Sequence, residues 1–296
     1  MKILLTGATG FIGSAFLRQA TAAGHEVAAL VRPERLSLLP VQTGVRPLVG
    51  TLVDAPWSEI RDFAPEVCLH TAWVTTPGIY MESPENELFL AWSQGFLRRV
   101  VDGGAVHLVT LGTCIEYAMT GAPLSEAGTP LAPSSPYAKA KDALHRWQET
   151  EAAAGGVCGA WVRVFYPYGP GEHPAKLATS VVQRLSCGET VTLTSGRSVK
   201  DYVFISDVAT ALLTVVESRA RGAINLGTGE GVSVGALAGE IAGQLGRPEL
   251  IRIIEPARPD PFANVVADAT RLRALGWRPR ISIAQGVRQL IGHLKA

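Results

Sequence analysis

The sequence has little cysteine and almost no net charge. Its 296 residues include four cysteines, which lie far apart and form no C-x-x-C pair. This scarcity argues against a disulfide framework or a thiolate metal site, so we expect no bound metal and a reducing, cytoplasmic setting. The 27 Lys and Arg residues against 26 Asp and Glu leave a net charge of +1. Such a chain offers no basic face to a nucleic-acid backbone, and we expect no nucleic-acid partner.

Long apolar runs are also missing. Gly, Arg or Asp interrupts every candidate before it reaches the roughly 18 apolar residues that a membrane-spanning helix needs. The first residues, MKILLTGATG, lead directly into a short strand and a glycine turn, so we expect no export signal. With 47% hydrophobic and 18% charged residues, the sequence predicts a soluble globular protein without a membrane partner.

Short apolar runs alternate with helical stretches along the chain. The runs are rich in Val and Leu and do not alternate strictly with polar residues, which is typical of parallel strands covered on both faces. We predict strands at residues 2–6, 27–31, 67–71, 105–111, 159–165 and 223–226, with a first helix at residues 11–23. This order indicates an α/β fold with a doubly wound parallel sheet.

A glycine turn follows the first predicted strand. The segment TGATGFIG places Gly7, Gly10 and Gly13 directly before an apolar helix. The first glycine permits a tight turn, the second lets the backbone approach a pyrophosphate, and the third lets the helix pack closely on the strand. The helix N-terminus then faces an anionic phosphate. The pattern predicts a Rossmann-type dinucleotide site, the alternative being glycines that serve packing alone.

The end of the second predicted strand bears on the choice of cofactor. It reads Val31-Arg32-Pro33, with no carboxylate to accept the ribose 2′-hydroxyl of NAD. A guanidinium there can pair with a 2′-phosphate, so Arg32 favours NADP(H), with NAD(H) still possible. The alternative is a solvated surface arginine.

The chain changes texture after residue 165, where YPYGPGEHP is dense in Pro and Gly. We place a lobe boundary there. The dinucleotide-binding domain is predicted to span residues 1–165, with residues 201–228 returning to it. A smaller α/β substrate-binding lobe is predicted from residues 166–200 and 229–296.

Tyr137 and Lys141 form a Y-x-x-x-K pair at the start of a predicted helix. Four residues apart, they share one face of that helix. A phenol with a pKa near 10 is a poor base at neutral pH unless a cation favours the phenolate, and Lys141 supplies one. Upstream, Thr113 follows a buried strand and so lies at the carboxyl edge of the sheet, where ligands bind. We predict Thr113, Tyr137 and Lys141 as the catalytic residues.

The G-x-x-G-x-x-G spacing and this Thr–Tyr–Lys set resemble the short-chain dehydrogenase/reductase superfamily, in particular its extended branch, the NAD-dependent epimerase/dehydratase family. Further segments carry the resemblance over nearly the whole chain: residues 163–171 (R-x-F-x-x-Y-G-P-G), 200–202 (KDY), 207–209 (DVA), 225–229 (NLGTG) and Arg258-Pro259. The resemblance implies that Thr113 binds the substrate oxygen, Tyr137 transfers the proton, and Lys141 holds the tyrosine and the nicotinamide ribose.

The resemblance also implies binding residues and a homodimer through the helices around residues 92–101 and 137–153. The implied cofactor contacts are Gly7, Thr9, Gly10, Phe11, Ile12, Gly13, Arg32, Thr71, Ala72, Tyr137, Lys141 and Tyr166. The implied contacts of a nucleotide-sugar substrate are Thr75, Thr113, Cys114, Tyr166, Lys176, Lys200 and Arg258. Tyr166 replaces the asparagine of many members and Lys200 replaces their arginine, which leaves the nucleotide carrier open. For Lys176, Lys200 and Arg258 the alternative is an ordinary solvated charge.

The two residues after Thr113 reduce the number of reaction types that the chain could catalyse. Dehydratases of this family place Asp-Glu there, whereas this chain has Cys114-Ile115, and neither side chain suits acid–base removal of water. Reduction and epimerisation remain. Because Arg32 favours NADPH, and because the length is nearer to that of deoxysugar 4-ketoreductases, we expect reduction of a nucleotide-linked 4-keto-6-deoxyhexose. The alternatives are a nucleotide-sugar 4-epimerase with tightly bound NAD and a non-catalytic dinucleotide-sensing protein.

Overall fold

The computed structural model describes residues 1–40, 43–152, 154–254 and 260–295. Its strands are β1 (Lys2–Thr6), β2 (Glu26–Val31), β3 (Val45–Val49), β4 (Val67–His70), β5 (His107–Thr113), β6 (Cys158–Val164), β7 (Tyr166–Tyr168), β8 (Val191–Leu193), β9 (Val199–Lys200), β10 (Tyr202–Phe204), β11 (Gly222–Leu226), β12 (Val232–Ser233), β13 (Ile251–Ile253) and β14 (Asn264–Val265). Its helices are α1 (Phe11–Ala22), α2 (Trp57–Phe63), α3 (Glu85–Asp102), α4 (Pro136–Trp147), α5 (Leu177–Ser186), α6 (Ile205–Glu217), α7 (Val234–Leu245), α8 (Thr270–Ala274) and α9 (Ile283–Lys295).

The central sheet has the strand order β11-β6-β5-β4-β1-β2-β3, and every pair in it is parallel. The chain runs from β1 outward through β2 and β3, then crosses back to β4 on the other side of β1. This confirms the predicted doubly wound Rossmann-type fold. Such a sheet opens a crevice at the carboxyl ends of its strands where the order reverses, here between β1 and β4.

Both faces of the sheet are covered, as its apolar strands require. In β1, Ile3 and Leu5 pack into one hydrophobic core while Leu4 packs into the other. Helices α1 and α6 contact each other, as do α3 and α4. Phe16 of α1 belongs to the first core and Phe96 of α3 to the second, so the two helix pairs cover opposite faces.

The strand bounds differ from prediction in two instructive places. Strand β5 begins and ends two residues later than predicted, so Thr113 is its last residue rather than part of the following turn. Strand β3 is absent from the prediction because Pro47 and its largely exposed surroundings do not form a buried apolar run. It pairs on one side only, with β2, and an edge strand tolerates a proline that cannot donate to a ladder.

The remaining strands form small sheets beside the main one. Strand β7 pairs with β10, β9 pairs with β12 and β14, and β8 pairs with β13. Between them in sequence, β11 lies in the main sheet next to β6. The division of the chain into two lobes remains a prediction. Within the described ranges, no helix combines the length and the apolar character that crossing a membrane requires.

Candidate active site

The glycine turn, residues 6–13, is tightly packed on one side and open on another. Gly7 has φ +70°, and a Cβ built there would lie 2.5 Å from Thr71 Oγ1 and 2.9 Å from Ala72 N. A Cβ on Gly13 would collide with the Gly7 carbonyl oxygen. At Gly10, the N-cap of α1, a built Cβ would lie 3.2 Å from that carbonyl and within 4 Å of no other described atom beyond its chain neighbours and the helix's own backbone. The helix N-terminus is therefore left open, as a bound pyrophosphate would need.

Two predicted cofactor contacts, Thr71 and Ala72, are fixed beside this turn by partly buried hydrogen bonds. Their backbone N–H groups donate to Thr6 Oγ1 over 3.1 and 3.2 Å. With its lone pairs engaged, the Thr6 hydroxyl donates to His70 Nδ1 at 2.9 Å, so His70 carries its proton on Nε2, which lies 2.9 Å from Ser93 Oγ. Burial lowers the pKa of His70 to about 3. A neutral histidine thus supports the crevice, a role that the sequence reasoning missed.

The other predicted contacts of the turn lie at its open edge. Thr9 belongs to the turn, and Phe11 and Ile12 form the start of α1, each of the three half-buried. A Cβ on Gly171 would lie 3.8 Å from Phe11 Cδ2, so the Pro- and Gly-rich loop after β7 passes over the start of this helix. The loop and the turn together border the crevice.

Arg32 lies immediately after β2, at the N-cap of a 3-10 turn formed by Pro33–Leu38. Its side chain is 58% exposed, and its Nε lies 3.3 Å from Glu34 Oε1. The expectation that no carboxylate is available here is therefore wrong for the folded chain, because the 3-10 turn brings Glu34 back beside Arg32. The position offers both a cation for a 2′-phosphate and a carboxylate for a 2′-hydroxyl.

The structure brings Thr113, Tyr137 and Lys141 together. Thr113 ends β5 and is 8% exposed. Helix α4 begins at Pro136, its N-terminus capped by Ser135 Oγ, which accepts the Ala138 N–H at 3.2 Å. Tyr137 and Lys141 follow on one face of this helix. The Thr113 side chain lies close enough to Tyr137 to favour the phenolate, against the stronger effect of burial on the Tyr137 pKa.

Burial dominates the ionisation of the pair. It raises the pKa of Tyr137 well above its usual range, with Tyr80, Glu116 and Cys114 acting in the same direction and the Thr113 side chain opposing them. It also lowers the pKa of Lys141 to about 7, against the influence of Glu116. The expected lowering of the phenol pKa by Lys141 is not found, because the Lys141 ammonium is 6.0 Å from the Tyr137 ring centroid and donates to the Leu111 carbonyl at 2.8 Å. The phenol keeps its proton at neutral pH.

A buried ion pair supports the segment that carries Thr113. Glu116 is fully buried and accepts from Arg163 Nε at 2.8 Å, from Trp161 Nε1 at 3.0 Å and from the Thr113 backbone N–H at 2.7 Å. Arg163 is also bound to Tyr117 Oη at 3.1 Å. The sequence contained the signal, an arginine inside a buried strand and a glutamate just after another, but gave no reason to pair them.

Cys114 and Tyr166 lie near the predicted catalytic residues. Cys114 is 3% exposed, and burial raises the pKa of its thiol to about 12. The thiol therefore stays protonated at neutral pH, which removes it as a nucleophile or base. Tyr166 begins β7, is half-buried, and packs edge-on against Tyr202 with ring centroids 6.0 Å apart. Burial is also the main reason that the pKa of Tyr166 is raised.

The predicted substrate-binding cations differ in their surroundings. Lys176 precedes α5, with its Nζ 5.2 Å from the ring centroid of Tyr80. Lys200 is 7% exposed, lies 3.4 Å from Asp260 Oδ2 and donates to the Phe262 carbonyl, so it is not a solvated surface charge. Thr75 is exposed. Arg258 lies outside the described residues.

Two acidic residues of the family-like segments serve the fold. Asp201 accepts from the Thr228, Gly229 and Ala267 backbone N–H groups at 2.8, 2.9 and 3.1 Å, and its exposed fraction is zero. Asp207 accepts from the backbone N–H groups of residues 280 and 281. These carboxylates join distant segments, and their oxygens already accept hydrogen bonds from backbone N–H groups, so they are not free to bind substrate.

Comparison with known proteins finds a matching family and relatives that the chain resembles over most of its length. A model of the NAD dependent epimerase/dehydratase family matches residues 3–227. The UDP-glucose 4-epimerase of Mycolicibacterium smegmatis is 28% identical, with 98% of this chain and 97% of that protein covered. A dTDP-4-dehydro-6-deoxy-D-allose reductase of a Streptomyces species is also 28% identical, with 91% of this chain and 89% of that protein covered.

A solved structure is similar over its full length. The UDP-glucose 4-epimerase of Thermus thermophilus, in complex with NAD, superposes with a TM-score of 0.86 and 27% identity, covering 100% of this chain and 99% of that chain. Similarity at this level extends to an epimerase and a reductase alike.

Proposed function

The chain belongs to the NAD dependent epimerase/dehydratase family, and we propose that within it the protein is an NADPH-dependent reductase of a nucleotide-linked 4-keto-6-deoxyhexose. That it is an NAD(P)-dependent enzyme of the oxidoreductase type follows from the family. The complete Thr113, Tyr137 and Lys141 set, with a neutral Cys114 in place of a second acid, supports reduction or epimerisation over dehydration. Between these two, the observation that carries the proposal is Arg32 at the end of β2, which favours NADPH and hence reduction.

The glycine turn fits a dinucleotide, because its closed side is filled by backbone and Thr71 while the N-terminus of α1 stays open. A reduced nicotinamide bound at this turn would supply the hydride that reduces the carbonyl carbon of the substrate. Tyr137 then donates its phenolic proton to the carbonyl oxygen, so that C=O becomes CH–OH. Thr113 donates a hydrogen bond to the same oxygen and orients it. A phenol that keeps its proton at neutral pH suits a proton donor.

The surroundings of Cys114 argue against dehydration. Removal of water needs one group that takes a proton from carbon and another that gives a proton to the departing hydroxyl. A thiol with a pKa of about 12 takes no proton at neutral pH, and the neighbouring Ile115 has none to give. Glu116 is fully buried against Arg163 and does not replace them.

A nucleotide-sugar 4-epimerase is the second candidate. The similar proteins that the chain covers almost entirely include UDP-glucose 4-epimerases, one of them with bound NAD. Glu34 beside Arg32 supplies the carboxylate that an NAD ribose would need. The same Thr113 and Tyr137 chemistry would serve, with the alcohol oxidised first and the ketone reduced from its other face.

A nucleotide-sugar substrate would lie over Tyr166, Lys176 and Lys200. Lys176 approaches Tyr80, whose ring packs edge-on against Tyr137 at 4.9 Å, so its charge lies on the catalytic side. Lys200 pairs with Asp260, which partly neutralises the charge of the lysine. We therefore assign the principal diphosphate contact to Lys176.

A homodimer through α3 and α4 completes the proposal. These helices pack together, and α3 exposes Leu88 and Trp92, one turn apart, at 51% and 37%. Apolar side chains on one exposed helical stripe favour burial against a second copy. Residue 153, at the end of the interface expected from sequence, lies outside the described residues.

The proposal is tested with purified protein, NADPH or NADH, and a panel of nucleotide-linked 4-keto-6-deoxyhexoses. We expect substrate-dependent NADPH oxidation and one new hydroxyl per turnover. Interconversion of UDP-glucose and UDP-galactose without net NADPH consumption would establish the epimerase instead. Tight cofactor binding with neither reaction would exclude both substrate assignments.

A further inference from the structure

Trp73, in the segment between β4 and α3, lies against the ammonium of Lys141. The Nζ atom is 3.8 Å from the ring centroid, and Trp73 is 9% exposed. A cation this close to the face of a buried indole is attracted by the ring quadrupole. The same ammonium donates to the Leu111 carbonyl, so the lysine is held from two sides.

The indole itself is fixed by a buried amide. Trp73 Nε1–H donates to Asn86 Oδ1 at 2.9 Å, and Asn86 is fully buried at the start of α3. The Asn86 amide nitrogen donates to the Tyr80 and Ser83 carbonyls at 2.7 and 2.8 Å. Because both ends of the amide are engaged, the indole cannot turn away from Lys141 without leaving buried polar groups unpaired.

The segment from Trp73 to Asn86 also contacts Tyr137. Tyr80 packs edge-on against the Tyr137 ring, with centroids 4.9 Å apart and planes at 87°. The Tyr137 backbone N–H donates to the Met81 carbonyl at 3.1 Å. One segment therefore fixes both members of the Y-x-x-x-K pair.

We propose that Trp73 is a positioning residue, whose indole face holds Lys141 in its charged form beside Tyr137 and whose orientation is set by Asn86. The proposal rests on the proposed function, in which Lys141 holds Tyr137 and the nicotinamide ribose, as the family resemblance implies. The new element is that Lys141 depends for this role on the indole face of Trp73, which is not one of the three catalytic residues.

The charge on Lys141 is sensitive to small effects. Burial brings its pKa to about 7, near working conditions. The titratable groups that face it are Glu116 after β5, which favours the charged form, His70 at the end of β4, which is neutral, and Tyr137 on α4 itself. Loss of the indole face should therefore lower the pKa of Lys141 by about one unit, the size of a desolvated cation–π interaction.

The test measures Lys141 without substrate or cofactor. Competitive labelling with trace acetic anhydride across pH, followed by peptide mass spectrometry, gives the pH midpoint at which Lys141 becomes nucleophilic. We expect the midpoint to fall by about one pH unit in Trp73→Leu and by less in Trp73→Phe, which keeps an aromatic face. Trp57→Leu is the matched control, because Trp57, the first residue of α2, makes the same kind of contact with a different cation: Arg99 Cζ lies 4.1 Å from its ring centroid. The control variant should leave the Lys141 midpoint unchanged.

A second readout is the affinity for NADPH, measured by the fluorescence change on binding. It is compared in a double-mutant cycle that combines Trp73→Leu with Lys141→Met. Trp73→Leu should weaken binding several-fold in the wild-type background and have little further effect once Lys141 is gone. An unshifted midpoint, or an equal loss of affinity in both backgrounds, would show that Trp73 serves packing alone. Trp73→Phe keeps the test available should the leucine variant fail to fold. A wrong substrate assignment changes neither readout, so the two proposals fail separately.

Discussion

Arg163 and Glu116 form an ion pair 2.8 Å long in which the side chains are 2% and 0% exposed. The pair spans β6 and the turn after β5, and the same carboxylate accepts the Thr113 backbone N–H. Removing one partner from such a pair leaves the other charge buried without compensation, which is far more costly than the loss of an exposed pair. Thr113, which we predict to be catalytic, is therefore held in place by a pair that also stabilises the sheet.

Glu116→Ala should lower the free energy of unfolding by about 3–5 kcal/mol, the usual cost of breaking a buried pair. Denaturant unfolding followed by circular dichroism measures it. The control is Glu189→Ala, whose partner Arg184 is 44% exposed, and which should cost about 0–1 kcal/mol. Equal losses in the two variants would mean that the buried pair contributes no more than a surface one.

Tyr137→Phe should keep the fold and cofactor binding and lower turnover by about 10²–10⁴-fold, the usual contribution of general acid catalysis. Lys141→Ala should lose activity and also bind cofactor more weakly. Steady-state kinetics and NADPH titration measure both.

Tyr168→Phe is the matched control for Tyr137→Phe. Its hydroxyl is buried and has no hydrogen-bond partner among the described residues, so its removal should leave turnover nearly unchanged. Near-wild-type activity in the Tyr137 variant would instead remove the tyrosine as the proton donor.

Acid should destabilise the protein through His70. Its pKa is about 3 in the folded chain and about 6.5 when unfolded, so the unfolded chain binds the proton first as the pH falls. The stability it contributes is complete above about pH 6.5 and declines by roughly 1.4 kcal/mol per unit between pH 6.5 and 3.

His70→Gln tests this directly, since glutamine does not titrate. The variant should be less stable than wild type at pH 7, where the Thr6 and Ser93 hydrogen bonds are perturbed. Its deficit should shrink as the pH falls from 6 to 4, as measured by denaturant unfolding at each pH. A constant deficit would place the acid sensitivity in other groups, among them His145, whose pKa burial also lowers to about 3.

Local sequence patterns predicted much of the fold and of the site. The glycine turn and the Tyr137–Lys141 pair each lie within a few residues of sequence, so the local helix or turn alone determines how their members are placed relative to each other. The supporting groups are not local. Thr6 and His70 are 64 residues apart, and Glu116 and Arg163 are 47 apart, so only the order and register of the strands bring them together.

The contact between Arg32 and Glu34 was missed for a different reason, since these residues are close in sequence. Glu34 is only two residues away, a spacing that puts two side chains on one face of a strand but not of a helix. Strand β2 ends at Val31, and the contact forms instead in the 3-10 turn that follows, where Arg32 is the N-cap and Glu34 is the second residue. The carboxylate beside Arg32 therefore depends on the local conformation of the chain after β2 and not on a contact between distant segments.

The proposed preference for NADPH depends on what happens to this Arg32–Glu34 contact when the cofactor binds. With NADPH, the 2′-phosphate would displace Glu34 from Arg32 and form charge-assisted hydrogen bonds worth about 1.5–3 kcal/mol, a preference of roughly ten- to a hundredfold. Arg32→Ala should remove most of this preference and leave NADH affinity nearly unchanged, because the glycine turn serves both cofactors. Glu34→Gln should act in the other direction, strengthening NADPH binding by removing the repulsion between carboxylate and phosphate. Fluorescence titration of the three proteins with each cofactor separates these effects. If the wild type prefers NADH and Glu34→Gln weakens that binding, then Glu34 holds the ribose, and the epimerase with retained NAD becomes the better assignment.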